Sequence, residues 1–72
     1  MKISEALPIA VENNDGVLAY RCYSALITRG YNPDKVYVHA RKLTGVSKNT
    51  WDNLIRFGSI MDERTGKSKK SA

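Results

Sequence analysis

Three short clusters of turn-forming residues constrain the fold of this chain more than any other feature. Asn13-Asn14-Asp15-Gly16 is the first, Gly30 with Tyr31-Asn32-Pro33-Asp34 the second, and Gly45-Val46-Ser47 the third. Each joins a residue suited to closing a helix to one whose side chain suits opening the next. Between the clusters the apolar residues recur mostly at steps of three and four, the helical period. The expectation is an all-α protein, a small helical bundle of about four short helices.

Local signals place these helices. Ser4 is expected to cap the first, with Glu5 in its first turn and Pro8 early enough that its missing N–H costs no helical bond. Asn14 or Asp15 caps the second, whose Leu18, Cys22, Ala25 and Leu26 form an apolar stripe between Val17 and Arg29, and Gly30 closes it. Asn32, Pro33 and Asp34 open a third helix, expected to run to Leu43 or Thr44. Val36-Tyr37-Val38-His39-Ala40 also alternates as a strand would, but the step of Pro33, Val36, Ala40 and Leu43 and the well-formed cap favour helix. Gly45 ends it.

Ser47 caps the fourth helix, with Thr50, Trp51, Leu54 and Ile55 as its apolar stripe, running to about Phe57 and ended or bent by Gly58. Residues 59–66 suit further helix or part of a hairpin. From Gly66 the sequence GKSKKSA lacks large apolar side chains and is expected to be a flexible basic tail. The organisation expected is one domain over residues 1–65 and a tail over 66–72.

Composition narrows the function. Hydrophobic residues make up 42% and charged ones 26%, enough apolar material for a small core and too little charge for disorder. A chain this short buries only ~60% of the surface its unfolded form exposes, so association with a second copy would help it. One cysteine and one histidine support neither an internal disulfide nor a four-ligand zinc site. Cys22 lies on an apolar stripe with no group to orient a base, so it is expected in the core rather than as a nucleophile. Gly66-Lys67-Ser68 ends like a phosphate-binding loop, but Met61 stands where the first glycine belongs. No catalysis, cofactor, metal or small-molecule substrate is expected. The first residues carry one lysine, two glutamates and a proline, unlike a signal peptide or membrane span, so a cytoplasmic protein without membrane contact is expected.

The net charge is +5 and it is unevenly spread. Residues 1–20 are net acidic, whereas 21–46 and 47–72 are both net basic, as a surface that meets a polyanion would be.

Two helices joined by a tight glycine turn, the second opening on polar residues, have a specific counterpart. Ala40-Arg41-Lys42-Leu43-Thr44-Gly45-Val46-Ser47-Lys48-Asn49-Thr50-Trp51-Asp52-Asn53-Leu54-Ile55 resembles the helix-turn-helix of prokaryotic and phage transcription regulators. Gly45-Val46-Ser47 matches the turn, Thr50 the hydroxyl position, Trp51 the buried position and Leu54 the next core contact. The resemblance covers roughly 20 residues. Arg41 departs from the pattern, which usually has a small residue four places before the turn glycine, and Ala40 lies one place earlier.

The resemblance implies that the helix from Ser47 enters the DNA major groove with its first residues over base edges. Ser47, Lys48, Asn49, Asn53 and Arg56 would then contact DNA, the two asparagines reading adenine and Lys48 or Arg56 meeting guanine or phosphate. Arg41, Lys42 and the tail residues Lys67, Lys69 and Lys70 would contact phosphates. Asp52 could accept from a cytosine amine, but is expected rather to pair with Arg56 along the helix. The partner implied is double-stranded DNA, bound by a homodimer because one helix reads few bases. The rival reading is a small inhibitor or adaptor that grips a host protein through Tyr31, Tyr37, Trp51 and Phe57. Burial of Trp51 separates the two.

Overall fold

The computed structural model describes the backbone of residues 2–71 and the side chains of residues 2–64. The order is α1 (Ile3–Glu12), α2 (Gly16–Thr28), α3 (Pro33–Thr44) and α4 (Lys48–Ser71), with no strand among the described residues.

α1 starts one residue before the expected cap. Lys2, not Ser4, is the last extended residue, and its N–H donates to the Glu5 carboxylate at 3.4 Å. Pro8 lies inside the helix, where its ring removes the N–H that would have bonded the Ser4 carbonyl. Nε2 of His39 on α3 lies 3.1 Å from that carbonyl oxygen. A carbonyl only accepts, so Nε2 carries the proton and repairs the vacancy.

The remaining junctions follow the local signals. Asn14 is left-handed (φ 57°), and Asp15 Oδ1 accepts the Leu18 N–H at 3.2 Å to cap α2. Gly30 (φ 100°) closes α2, donating to the Ile27 carbonyl at 2.9 Å while Tyr31 donates to Leu26 at 3.1 Å, the paired bonds of a Schellman turn. Asn32 Oδ1 accepts the Asp34 N–H at 2.8 Å. The alternating segment beside it is helical throughout, because Val36 and Ala40 face the core while Val38 faces solvent.

α4 differs most from expectation. It neither ends nor breaks at Gly58 and is continuous to Ser71, through the segment left open between helix and hairpin and the backbone of the segment expected as a tail. Gly58 is buried against α2. A Cβ built there would run into the carbonyl oxygen of Gly16 and stand 2.6 Å from Tyr20 Cβ, and one built on Gly16 would stand 2.7 Å from Phe57 Cδ1. Two glycines therefore let α2 and α4 cross almost backbone to backbone, and Arg21 Nε donates to Asp62 Oδ1 at 2.7 Å further along the same pair.

The core draws on all four helices: Leu7 and Ala10, then Ala19, Cys22 and Leu26, then Val36 and Ala40, then Trp51 and Leu54. Alanines at the contacts keep the helices close, and Trp51 supplies the largest apolar surface among them. Leu18 and Leu43, expected on apolar stripes, are 38% and 56% exposed.

Candidate nucleic-acid interface

The connection between α3 and α4 is three residues long and built from local bonds. Gly45 is left-handed (φ 75°) and donates its N–H to the Arg41 carbonyl at 2.7 Å. Thr44 Oγ1 donates to the Ala40 carbonyl at 2.8 Å and accepts the Val46 N–H at 3.2 Å. Ser47 then caps α4: its Oγ accepts the Thr50 N–H at 3.2 Å and donates to Thr50 Oγ1 at 2.9 Å.

An aromatic bracket holds the start of α4 in place. Trp51 is 3% exposed and lies edge-on to Tyr23 of α2, with ring centroids 5.9 Å apart at 75°. On its other side is Tyr37 of α3, 5.6 Å away at 51°. The Tyr37 hydroxyl donates to the Val46 carbonyl at 3.4 Å, so one side chain ties α3 to both the turn and α4. Aromatic pairs of this kind add roughly 0.5–1.5 kcal/mol beyond the area they bury. The first turns of α4 are thus set on a rigid support.

The outward face of those turns is polar. Trp51, Leu54 and Gly58 are spaced three and four apart and face inward. Asn49, Asn53, Arg56 and Ile60 are spaced four, three and four apart and form a line on the opposite side, all exposed. Arg41 and Lys42, in the last turn of α3, are also exposed. Asn49, Asn53, Arg56, Arg41 and Lys42 make no side-chain hydrogen bond or ion pair among the described residues. Two amides and three basic side chains near one helix start offer donors and acceptors for base edges and charge for phosphates.

The other expected positions fall differently. Lys48 Nζ lies 3.2 Å from Asp52 Oδ1 and 4.9 Å from the centroid of the Tyr37 ring. It occupies the flank of α4 that faces α3, not the outward line. Asp52 therefore pairs backward with Lys48, correcting the expected pairing with Arg56: both partners are four residues away, and among the described residues the Lys48 side alone has an aromatic face to help seat a cation. The Ser47 hydroxyl is engaged as a cap. Thr50, expected on the apolar stripe, is exposed, because its hydroxyl belongs to that same cap. Ala40 is fully buried while Arg41 points to solvent, so the small contact residue stands one place earlier than in the pattern that the sequence resembles. The side chains of Lys67, Lys69 and Lys70 lie outside the described residues.

Elsewhere the chemistry is sparse. Cys22 is 6% exposed, and burial, reinforced by the Asp15 charge, pushes its thiol above the ordinary range, which disfavours the nucleophilic thiolate. No cluster of three or more metal-ligating side chains occurs among the described residues, and none of their helices is long and apolar enough to cross a membrane. No protein-family model, curated protein or solved structure matches this chain.

Two residues have roles here other than those the sequence reasoning gave them. Tyr37 braces Trp51, the turn and Lys48, and nothing in its local sequence marks it. Gly58 was legible in principle, since it follows Trp51 and Leu54 at helical spacing and so falls on the buried face.

Proposed function

We propose that this chain is a small sequence-specific DNA-binding protein, a transcription regulator or control protein of prokaryotic, phage or plasmid type, acting on double-stranded DNA in the cytoplasm. The observation that carries this reading is the exposed line of Asn49, Asn53 and Arg56 on a helix start fixed from behind by buried Trp51. From Asn49 to Arg56 the helix rises about 10.5 Å, roughly three base-pair steps at 3.4 Å each. A groove ~12 Å wide admits such a helix, asparagine amides match adenine edges, and a guanidinium matches guanine. Arg41 and Lys42 at the end of α3 are available for the flanking phosphates. Three steps specify little, so the protein works as a homodimer that presents two such lines.

The adaptor reading needs Trp51 as an exposed anchor, and Trp51 is buried. Tyr31 and Phe57 are exposed.

Gel retardation with duplexes selected from random sequence tests the proposal. Each neutralised phosphate contributes ~−0.9 to the slope of log K against log salt, so binding should fall steeply with salt. Asn49→Ala or Asn53→Ala should relax base preference while nonspecific binding remains, whereas Lys69→Ala and Lys70→Ala should weaken all duplexes alike. Failure to retard any duplex at low salt would overturn the reading.

A further inference from the structure

Lys48 sits in the first turn of α4, where the positive end of the helix dipole disfavours a cation. Two contacts offset this: the Asp52 carboxylate at 3.2 Å and the face of the Tyr37 ring at 4.9 Å. Tyr37 is itself fixed, by its bond to the Val46 carbonyl and its packing on Trp51. The ammonium is therefore held at two points on the flank toward α3, away from the line of Asn49, Asn53 and Arg56.

We infer that Asp52 is a specificity-determining residue. It latches Lys48 against Tyr37 and so withholds a long, mobile cation from phosphates that carry no sequence information. A lysine free at this position would add sequence-independent attraction to every duplex. With Lys48 latched, affinity depends more on the two amides and the guanidinium, which can tell bases apart. This inference rests on the DNA-binding reading. Both partners are 58% exposed in their side chains, so the latch is an exposed ion pair whose release alters binding by at most about fivefold.

The test is Asp52→Asn, which keeps the shape and removes the charge, alongside the double variant Lys48→Met/Asp52→Asn. Binding to a selected site and to a scrambled duplex is measured over a salt series. Asp52→Asn should bind scrambled duplex up to about fivefold more tightly, with a salt slope steeper by about one unit and a reduced ratio of specific to nonspecific affinity. The double variant should lose both the added affinity and the added slope. If Asp52→Asn leaves the ratio unchanged, or if the double variant keeps the gain, Asp52 does not act through Lys48 and the inference falls. A readout without DNA separates this failure from failure of the underlying reading. The ε-methylene protons of Lys48 should show a ring-current shift from Tyr37 that collapses toward the ordinary lysine position in Asp52→Asn. A collapsing shift with no retardation of any duplex by the native protein would leave the latch as a structural contact and overturn its role in specificity. Absence of the shift in the native protein would overturn the latch itself.

Discussion

Replacing Gly58 with alanine sets two known effects against each other, and the structure decides between them. In an exposed helix interior this change stabilises by ~1 kcal/mol, because glycine has more conformational freedom to lose. Here the new methyl would stand 2.5 Å from the carbonyl carbon of Gly16 and 2.6 Å from Tyr20 Cβ, and would overlap the Gly16 carbonyl oxygen. Favourable contact between carbons needs ~3.5–4.0 Å. The obstructing atoms are backbone and a Cβ, which no rotamer change can move, so α2 and α4 must separate by about 1 Å. That movement loosens Leu54, Trp51 and Ala19 together. Overpacking of this kind costs roughly 1–3 kcal/mol and occasionally more. Because the obstruction is rigid, the upper part of that range applies, leaving a net loss of about 2 kcal/mol after the helix-propensity gain. For a domain of this size that lowers Tm by about 10 °C or more, at ~4–8 °C per kcal/mol. Thermal melts followed by circular dichroism read it directly. An unchanged or raised Tm would refute the close crossing and favour a helix that ends or bends at Gly58. Gly16→Ala should cost less, because its nearest obstruction, Phe57 Cδ1 at 2.7 Å, belongs to a side chain that can turn aside.

Three further predictions follow from separate features. Gly45→Val should destabilise by ~1 kcal/mol or more through its positive φ alone, since no atom lies within 4 Å of a Cβ there; wild-type melting and wild-type DNA binding would argue against this turn. His39→Ala should cost ~0.5–1.5 kcal/mol in the native chain and much less in a Pro8→Ala background, where a restored N–H satisfies the Ser4 carbonyl; additive losses in urea titrations would show that His39 is not the substitute donor. The Cys22 thiol is held above its ordinary range in the folded state by burial and then by Asp15, so the unfolded chain releases that proton first as pH rises. Its contribution to stability is complete at neutral pH and falls as pH climbs above ~8.5. The loss should vanish in Cys22→Ala, and an identical alkaline loss in that variant would assign it to other groups.

Much of this fold is legible in the sequence because the deciding interactions are local. Asp15 and Leu18, Asn32 and Asp34, and Ser47 and Thr50 bond within three residues of each other, and Gly30 and Gly45 close helices with bonds to the preceding turn. The misreadings arise where the deciding partner is distant or where two local partners are equivalent. Gly58 looks like a helix end until α2 is laid against it and Gly16 proves to be its neighbour. Pro8 looks harmless at a helix start, and only His39, far along the chain, explains how it is accommodated inside one. Asp52 has a cation four residues away on either side, and helical spacing cannot choose between Lys48 and Arg56. Tyr37, from another helix, makes the choice. The exposed line of the candidate interface was readable from spacing alone, whereas the diversion of Lys48 from it required the fold.

The crossing of Gly16 and Gly58 buries one side of α4 and leaves Asn49, Asn53 and Arg56 exposed, with no side-chain bond to another of the described residues. Substitutions along that line therefore meet little resistance from folding, while those on the opposite side are met by a loss of stability. Such a division separates what the molecule must keep from what it is free to vary. A lineage built on this scaffold can exchange those three side chains without first passing through an unstable intermediate.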